Sequence, residues 1–381
     1  MKFVRRSAED IKTKQKLHFS LLHQTVKAAQ YALIAVLLAV ILQMLIASHY
    51  NTRLLITSIW ISYILSIVML CILARLFFHW FRSNRNIVVL LYTLATASIA
   101  IDAGISLTLN TLLLIGQPIE SEQLVGGESA FIPNNILPLN YAFYVVSIVS
   151  FILTWAATVV LLRHHSRKLG LFKYWIIVSM PLFYFLIQFQ PLLVSFLSSY
   201  SFAATISFAI VYTIIFGASK SVGGILFAAA FWSMAKKIDS NQLKAYMIIS
   251  AFGLALIFGS DQASILTNRP YPPFGLATVS FLGLASYLVL VGVYSSAISV
   301  SEDSKLRYSI RNSALKETKL LDSIGMAQME QEIQRRVIAL TKQNQDRMAE
   351  ESGIQSSLTE EDMKEYLEQV IEEVKKERRK P

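Results

Sequence analysis

Three ionisable residues stand deep inside long apolar runs of this chain: Asp102, Lys220 and Asp261; Arg75, one turn from the end of its run, can snorkel to the interface. A charge in hydrocarbon costs several kcal/mol unless it is paired, so such residues are expected to meet one another or to serve a ligand, an ion or a proton. Lys220 lies near the middle of the stretch Ser201–Lys237, with the pair Gly223–Gly224 one turn later. Its ammonium is expected to meet Asp102, Asp261 or both. A lone pair is electrically closed, whereas two carboxylates around one lysine leave a negative charge for a cation or proton.

Depth can be counted along a helix at about 1.5 Å per residue. Counted from the basic ends of their runs, Gln43, Asp102, Gln188, Gln190, Lys220 and Asp261 all fall at roughly 22–28 Å, with Asn110 and Gln262 slightly farther. We take Gln43, Asp102, Gln188, Gln190, Lys220, Asp261 and Gln262 as one candidate polar layer for a small ligand or ion. The same residues read equally as an interhelical clamp that binds nothing. Pro181, Pro191 and the Gly-Gly pair supply places for kinks beside the layer.

Other chemistry is missing from the pattern. The six histidines lie in the N-terminal arm or near the ends of apolar runs, and His164–His165 fall in a basic loop. No HExxH, paired-cysteine, GxSxG or GxxxxGKS pattern occurs, so no catalytic residue, cofactor or metal site is expected, and no enzyme. A retinal pigment would need its lysine on a final, seventh helix; Lys220 is on the sixth of eight. The single cysteine, Cys71, rules out an internal disulfide and is expected to act as a small packing residue.

Apolar residues make up 54% of the 381 and charged residues 16%, well below the quarter or so of a soluble domain. The fold class expected is an all-α integral membrane bundle of about eight transmembrane helices with a cytoplasmic helical tail. The spans fall near 28–48, 54–79, 87–115, 141–162, 173–197, 202–235, 243–266 and 274–298. Residues 1–27 form a basic arm, 28–298 the membrane domain, 299–352 a charged juxtamembrane helix or coiled coil, and 359–380 an amphipathic helix.

Charge orients the bundle. Residues 1–299 hold 20 Lys and Arg against 8 Asp and Glu, and most of those bases sit in the arm and in every second connection: Arg82 and Arg85, then Arg163, Arg167, Lys168 and Lys173, then Lys236, Lys237 and Lys244; the other connections hold only Arg53 and Arg269. The longest opposite connection, 116–140, carries Glu120, Glu122 and Glu128 with no base. The positive-inside rule places both termini in the cytoplasm of a cell membrane, as an even span count requires. The basic excess is therefore a topology signal and not a nucleic-acid footprint.

From Val300 on the balance reverses, with 15 basic and 17 acidic residues. Thr359 opens the last helix with Glu360, Glu361 and Asp362 in its first turn. Met363, Tyr366, Leu367, Val370, Ile371 and Val374 make a regular apolar stripe that calls for a partner surface, either a cytoplasmic protein or a second copy of the chain.

A last membrane helix leading into a charged tail helix, around Tyr294 to Ile324, resembles the multi-pass membrane input modules of receptor histidine kinases. The resemblance implies a sensor. The tail has no histidine and no room for an ATP-binding domain, so such a sensor would signal in trans. An ion-coupled secondary transporter or permease is the alternative; a membrane scaffold, with a polar layer that only clamps, is a third.

Overall fold

The structure, a computed structural model, describes residues 2–47, 50–115, 120–121, 137–163, 170–187, 189, 205–238, 240–260, 279–303, 306–308, 310, 319–352, 361, 366, 369 and 370; the side chains of 2–21 and 205–217 lie outside that description. The described residues include nine long helices: α1 (Lys2–Ala47), α2 (Thr52–Asn84), α3 (Ile87–Ile115), α4 (Leu137–Leu162), α5 (Leu171–Ile187), α6 (Thr205–Ala235), α7 (Asn241–Ser260), α8 (Leu282–Glu302) and α9 (Lys319–Ser352). One two-residue antiparallel pairing, β1 (Tyr50–Asn51) with β2 (Glu120–Ser121), joins two connections on the side that bears the glutamates.

Six of the described helices are long and apolar enough to cross a membrane: Leu22–Gln43, Arg53–Asn84, Ile87–Leu112, Pro138–Leu162, Asn241–Ser260 and Leu282–Glu302. They are the helices of a multi-pass membrane protein. Large apolar side chains face outward along them, including Ile64, Val68, Phe78, Ile101, Val145 and Phe252. In a bilayer that exposure carries no penalty, because the solvent is as apolar as the side chain. Cys71 is also exposed, on α2, so it fills no core position.

The chain divides into two compact units. One comprises Met1–Leu22 with Met326–Pro381, the other His23–Gly325. In the first, the described part of α9 carries the i,i+4 pair Glu332–Arg336 at 2.8 Å and leaves Ile333 and Val337 exposed.

In the second, α2 packs on α3, α3 on α4, α4 on α6, α6 on α7, α7 on α8, and α8 back on α2, closing a ring of six helices. The α4–α6 seam is the thinnest of these contacts, and α5 packs along it. The indole of Trp155 donates to Val178 O (2.8 Å) and the Tyr174 hydroxyl donates to Val159 O (2.9 Å), which ties α5 to α4 near Pro181. Where α8 closes on α2, buried Ser66 of α2 shares a 2.7 Å hydrogen bond with Ser286 of α8. Small hydroxyl side chains let membrane helices approach closely and bond across the contact.

The basic arm and the first apolar run prove to be one helix: α1 begins at Lys2 and runs without a break to Ala47. At the other end, the stretch 299–352 is not one helix. Asp303 takes an extended conformation (φ −96°, ψ 109°) after Glu302, and its carboxylate accepts from Leu306 N–H at 3.1 Å. Aspartate caps helix starts well, so it closes α8 and opens a new turn at Leu306. Gly325 is inside α9.

Candidate functional site

α3 presents Asp102, Ser106 and Asn110 at intervals of four, on one helix face, and all three are buried. α4 presents Phe143 and Ser147 in the same relation, also buried. Counting from Ile87 to Asp102, from Leu162 back to Ser147, and from Ala235 back to Lys220 gives 15 residues each time, or about 22 Å of helix. The three residues therefore share one level of the ring. Ser106 and Phe143 share the next level out, each 19 residues from its helix end.

Lys220 reaches from α6 to α3. Its Nζ lies 3.5 Å from Asp102 Oδ2, with the lysine side chain 12% and the aspartate side chain 2% exposed. A tight charge-assisted hydrogen bond is about 2.7–2.9 Å, so this is an ion pair held at arm's length. The ammonium also lies 5.4 Å from the centre of the Phe143 ring, whose face attracts a cation. Phe143 itself packs on Leu109 of α3.

Around the pair, several polar atoms are buried without a protein partner among the described residues: Ser106 Oγ, Asn110 Oδ1 and Ser147 Oγ. The Asn110 amide nitrogen donates to Ser106 O at 2.8 Å, which fixes the remaining amide atom as an acceptor. An unmet buried acceptor costs about 1–3 kcal/mol. The three atoms lie on the faces of α3 and α4 that carry Asp102 and Phe143.

Comparison with protein-family models, curated proteins and solved structures finds no match for this chain. The site must be read from its own geometry.

Toward the basic end, aromatic side chains close the ring. Phe151 of α4 stacks on Phe185 of α5 at 4.1 Å and meets Phe227 of α6 at 5.3 Å and Phe258 of α7 at 5.9 Å. Gly223 makes this possible, since a Cβ there would run into the Phe151 ring; beside it, a Cβ on Gly224 would lie 2.8 Å from Phe258 Cβ. Nearer the end, Tyr92 of α3 packs edge-on to Phe231 of α6 at 5.7 Å and stacks on Phe77 of α2. The ion pair thus sits above two aromatic layers.

Of the predicted layer, the structure brings together Asp102 and Lys220. Gln43 is part-buried on α1, and no hydrogen bond joins it to the pair; its Oε1 has no partner among the described residues. Gln188, Gln190, Asp261 and Gln262 lie outside the described residues, as do Met363, Leu367, Ile371 and Val374 of the terminal stripe. Tyr366 and Val370 are described, helical and exposed. The sequence reading missed Phe143, Ser147 and Ser106. Their signal was present as small hydroxyl residues at helical spacing, Ser147, Ser150, Thr154 and Thr158 on α4, which reads in isolation as ordinary helix contact.

The beginning of the tail is fastened to the helix that carries Asp102. Arg85, in the left-handed region (φ 44°), ends α2, and Asn86 caps α3 by accepting from Val88 N–H at 2.9 Å. Asn86 Nδ2 also donates to the Ser323 hydroxyl at 2.6 Å, and Asn84 Nδ2 donates to Ser323 O at 3.2 Å. Two residues on, Gly325 lies so close to Val300 of α8 that a Cβ would come within 2.7 Å of Val300 Cβ. Leu320, Leu321 and Ile324 are buried beside it.

Proposed function

We propose that the chain is a sensor-like receptor module of the cell membrane. Eight helices, α1 to α8, would span the bilayer with both termini in the cytoplasm. A small ligand or ion would be bound in the outer half at Asp102 and Lys220, and its presence would be passed to a partner through the cytoplasmic tail helices. The partner would be a soluble protein or a second copy of the chain.

The observation that carries this reading is the Asn84–Asn86–Ser323 contact. It fastens the first turns of α9 to the turn that starts α3, and α3 holds the buried carboxylate fifteen residues on. A displacement of α3 at Asp102 is then felt at the tail. The resemblance to receptor input modules points the same way.

The test is amide hydrogen exchange of residues 319–325 in the full chain in lipid nanodiscs, comparing wild type with Asp102→Asn. The expected result is faster exchange at the tail start when the buried charge is removed. Identical exchange would overturn the sensor reading. An ion-coupled transporter is the second reading, favoured by an ion pair that bridges two non-adjacent members of a helix ring. A transporter keeps its flux when the chain is cut after Ser301; a sensor loses its output.

A further inference from the structure

We infer that Asp102 and Ser106 form the seat of an alkali cation, in which the ammonium of Lys220 is the resident competitor. The inference deepens the sensor reading by naming its ligand class, and it rests on that reading only for the consequence at the tail.

The donor set decides the class. The unmet buried atoms on these faces of α3 and α4 are oxygens: two hydroxyls, Ser106 Oγ one turn from Asp102 and Ser147 Oγ, and one amide carbonyl, Asn110 Oδ1, about 12 Å along α3 from Asp102. One N–H of the amide is engaged with Ser106 O, and Asn110 Oδ1 is left as an acceptor. With the Asp102 carboxylate, these oxygens suit a cation or a donor. Oxygen-only ligands select hard ions. Among the described residues no group of three or more His, Cys, Asp or Glu side chains converges, so the site lacks the ligands of a transition metal.

Charge then fixes the valence. Asp102 supplies one negative charge, and Lys220 already balances it. A monovalent ion takes the place of the ammonium as Lys220 releases one proton to solvent and stays as a neutral amine, which keeps the seat neutral. A divalent ion would leave an uncompensated positive charge in a low-dielectric interior even then. The geometry allows the exchange. The 3.5 Å contact is longer than a tight charge-assisted hydrogen bond, and the same ammonium already lies 5.4 Å from the centre of the Phe143 ring, whose face attracts a cation. Ser106 stands one turn outward from Asp102 and Asn110 one turn beyond it, so oxygens line the α3 face leading away from the two aromatic layers.

Competition gives a test that a structural ion pair would fail. The full chain in nanodiscs is melted by tryptophan fluorescence in N-methylglucamine chloride, with NaCl or KCl replacing it at constant ionic strength. In wild type, one of the two ions raises Tm saturably. In Lys220→Met the competitor is gone: Tm is lower without the ion, the ion restores it, and the midpoint falls by about tenfold or more. Ser106→Ala raises the midpoint, and Asp102→Asn abolishes the effect. A Tm indifferent to both ions in wild type and Lys220→Met overturns the proposal, as does a shift that persists in Asp102→Asn. If no ion effect is found while Asp102→Asn still alters exchange at residues 319–325, the cation is wrong and the sensor reading stands.

Discussion

Removing Lys220 should cost far more than removing both members of its ion pair. Lys220→Met takes the Lys220 cation from the Asp102 carboxylate, whose side chain is 2% exposed. At 3.5 Å and an effective dielectric near 20, the lost attraction is about 5 kcal/mol. Breaking a buried pair from one side costs about 3–5 kcal/mol. Lys220 retains a little solvent contact, so the lower part of that range is expected. In Lys220→Met combined with Asp102→Asn no charge is stranded, and the loss should shrink to about 1 kcal/mol, the size of a polar contact between membrane helices. The cycle should therefore show non-additivity of about 2–4 kcal/mol. Reversible unfolding in mixed micelles measures it, in buffer free of sodium and potassium so that no ion substitutes for the lysine. Losses that add to within about 0.5 kcal/mol would refute the ion pair as a coupled unit.

Other substitutions test the packing and the tail. Gly224→Leu should destabilise by about 1–3 kcal/mol or more, because its Cβ meets Phe258 and the Ala255 carbonyl, whereas Gly104→Ala, with nothing within 4 Å of its Cβ, should be neutral or slightly stabilising; thermal unfolding separates them. Ser323→Ala removes the hydroxyl that Asn86 bonds and should cost about 1 kcal/mol, with faster amide exchange in the first turns of α9 and unchanged exchange in α6. Trp155→Phe deletes the indole bond to Val178 O and should loosen α5, seen as increased proteolysis at its ends, with a stability loss of about 1 kcal/mol.

Much of the helix layout is legible in the chain. Apolar runs of spanning length marked the helices, and the structure begins and ends α2, α3, α4 and α6 within a few residues of those marks. The pairing of Lys220 with Asp102 was legible too, because helix rise is constant and both charges lie fifteen residues from a basic end. What surrounds them was not. Ser147 and Phe143 sit in a helix that is apolar or small on every face, and only the rotation of α4 against α3 and α6 selects the side that meets the ammonium. The partner of Ser323 was equally hidden, since a serine in a charged helix carries no sign that an asparagine more than two hundred residues away will bond it.

The conformation of Asp303 has a consequence for how force travels. A helix running unbroken from membrane to tail is a rigid rod: twisting or pushing one end turns or shifts the other. With its aspartate extended, α8 ends at Glu302 and its helical phase stops there. Inserting one residue just after Asp303 would turn everything beyond by about 100° in a continuous helix. Here the first turns of α9, as far as Gly325, are held sideways, by Gly325 resting on Val300 and by Ser323 held at the α2–α3 turn. The junction is geared laterally rather than shafted.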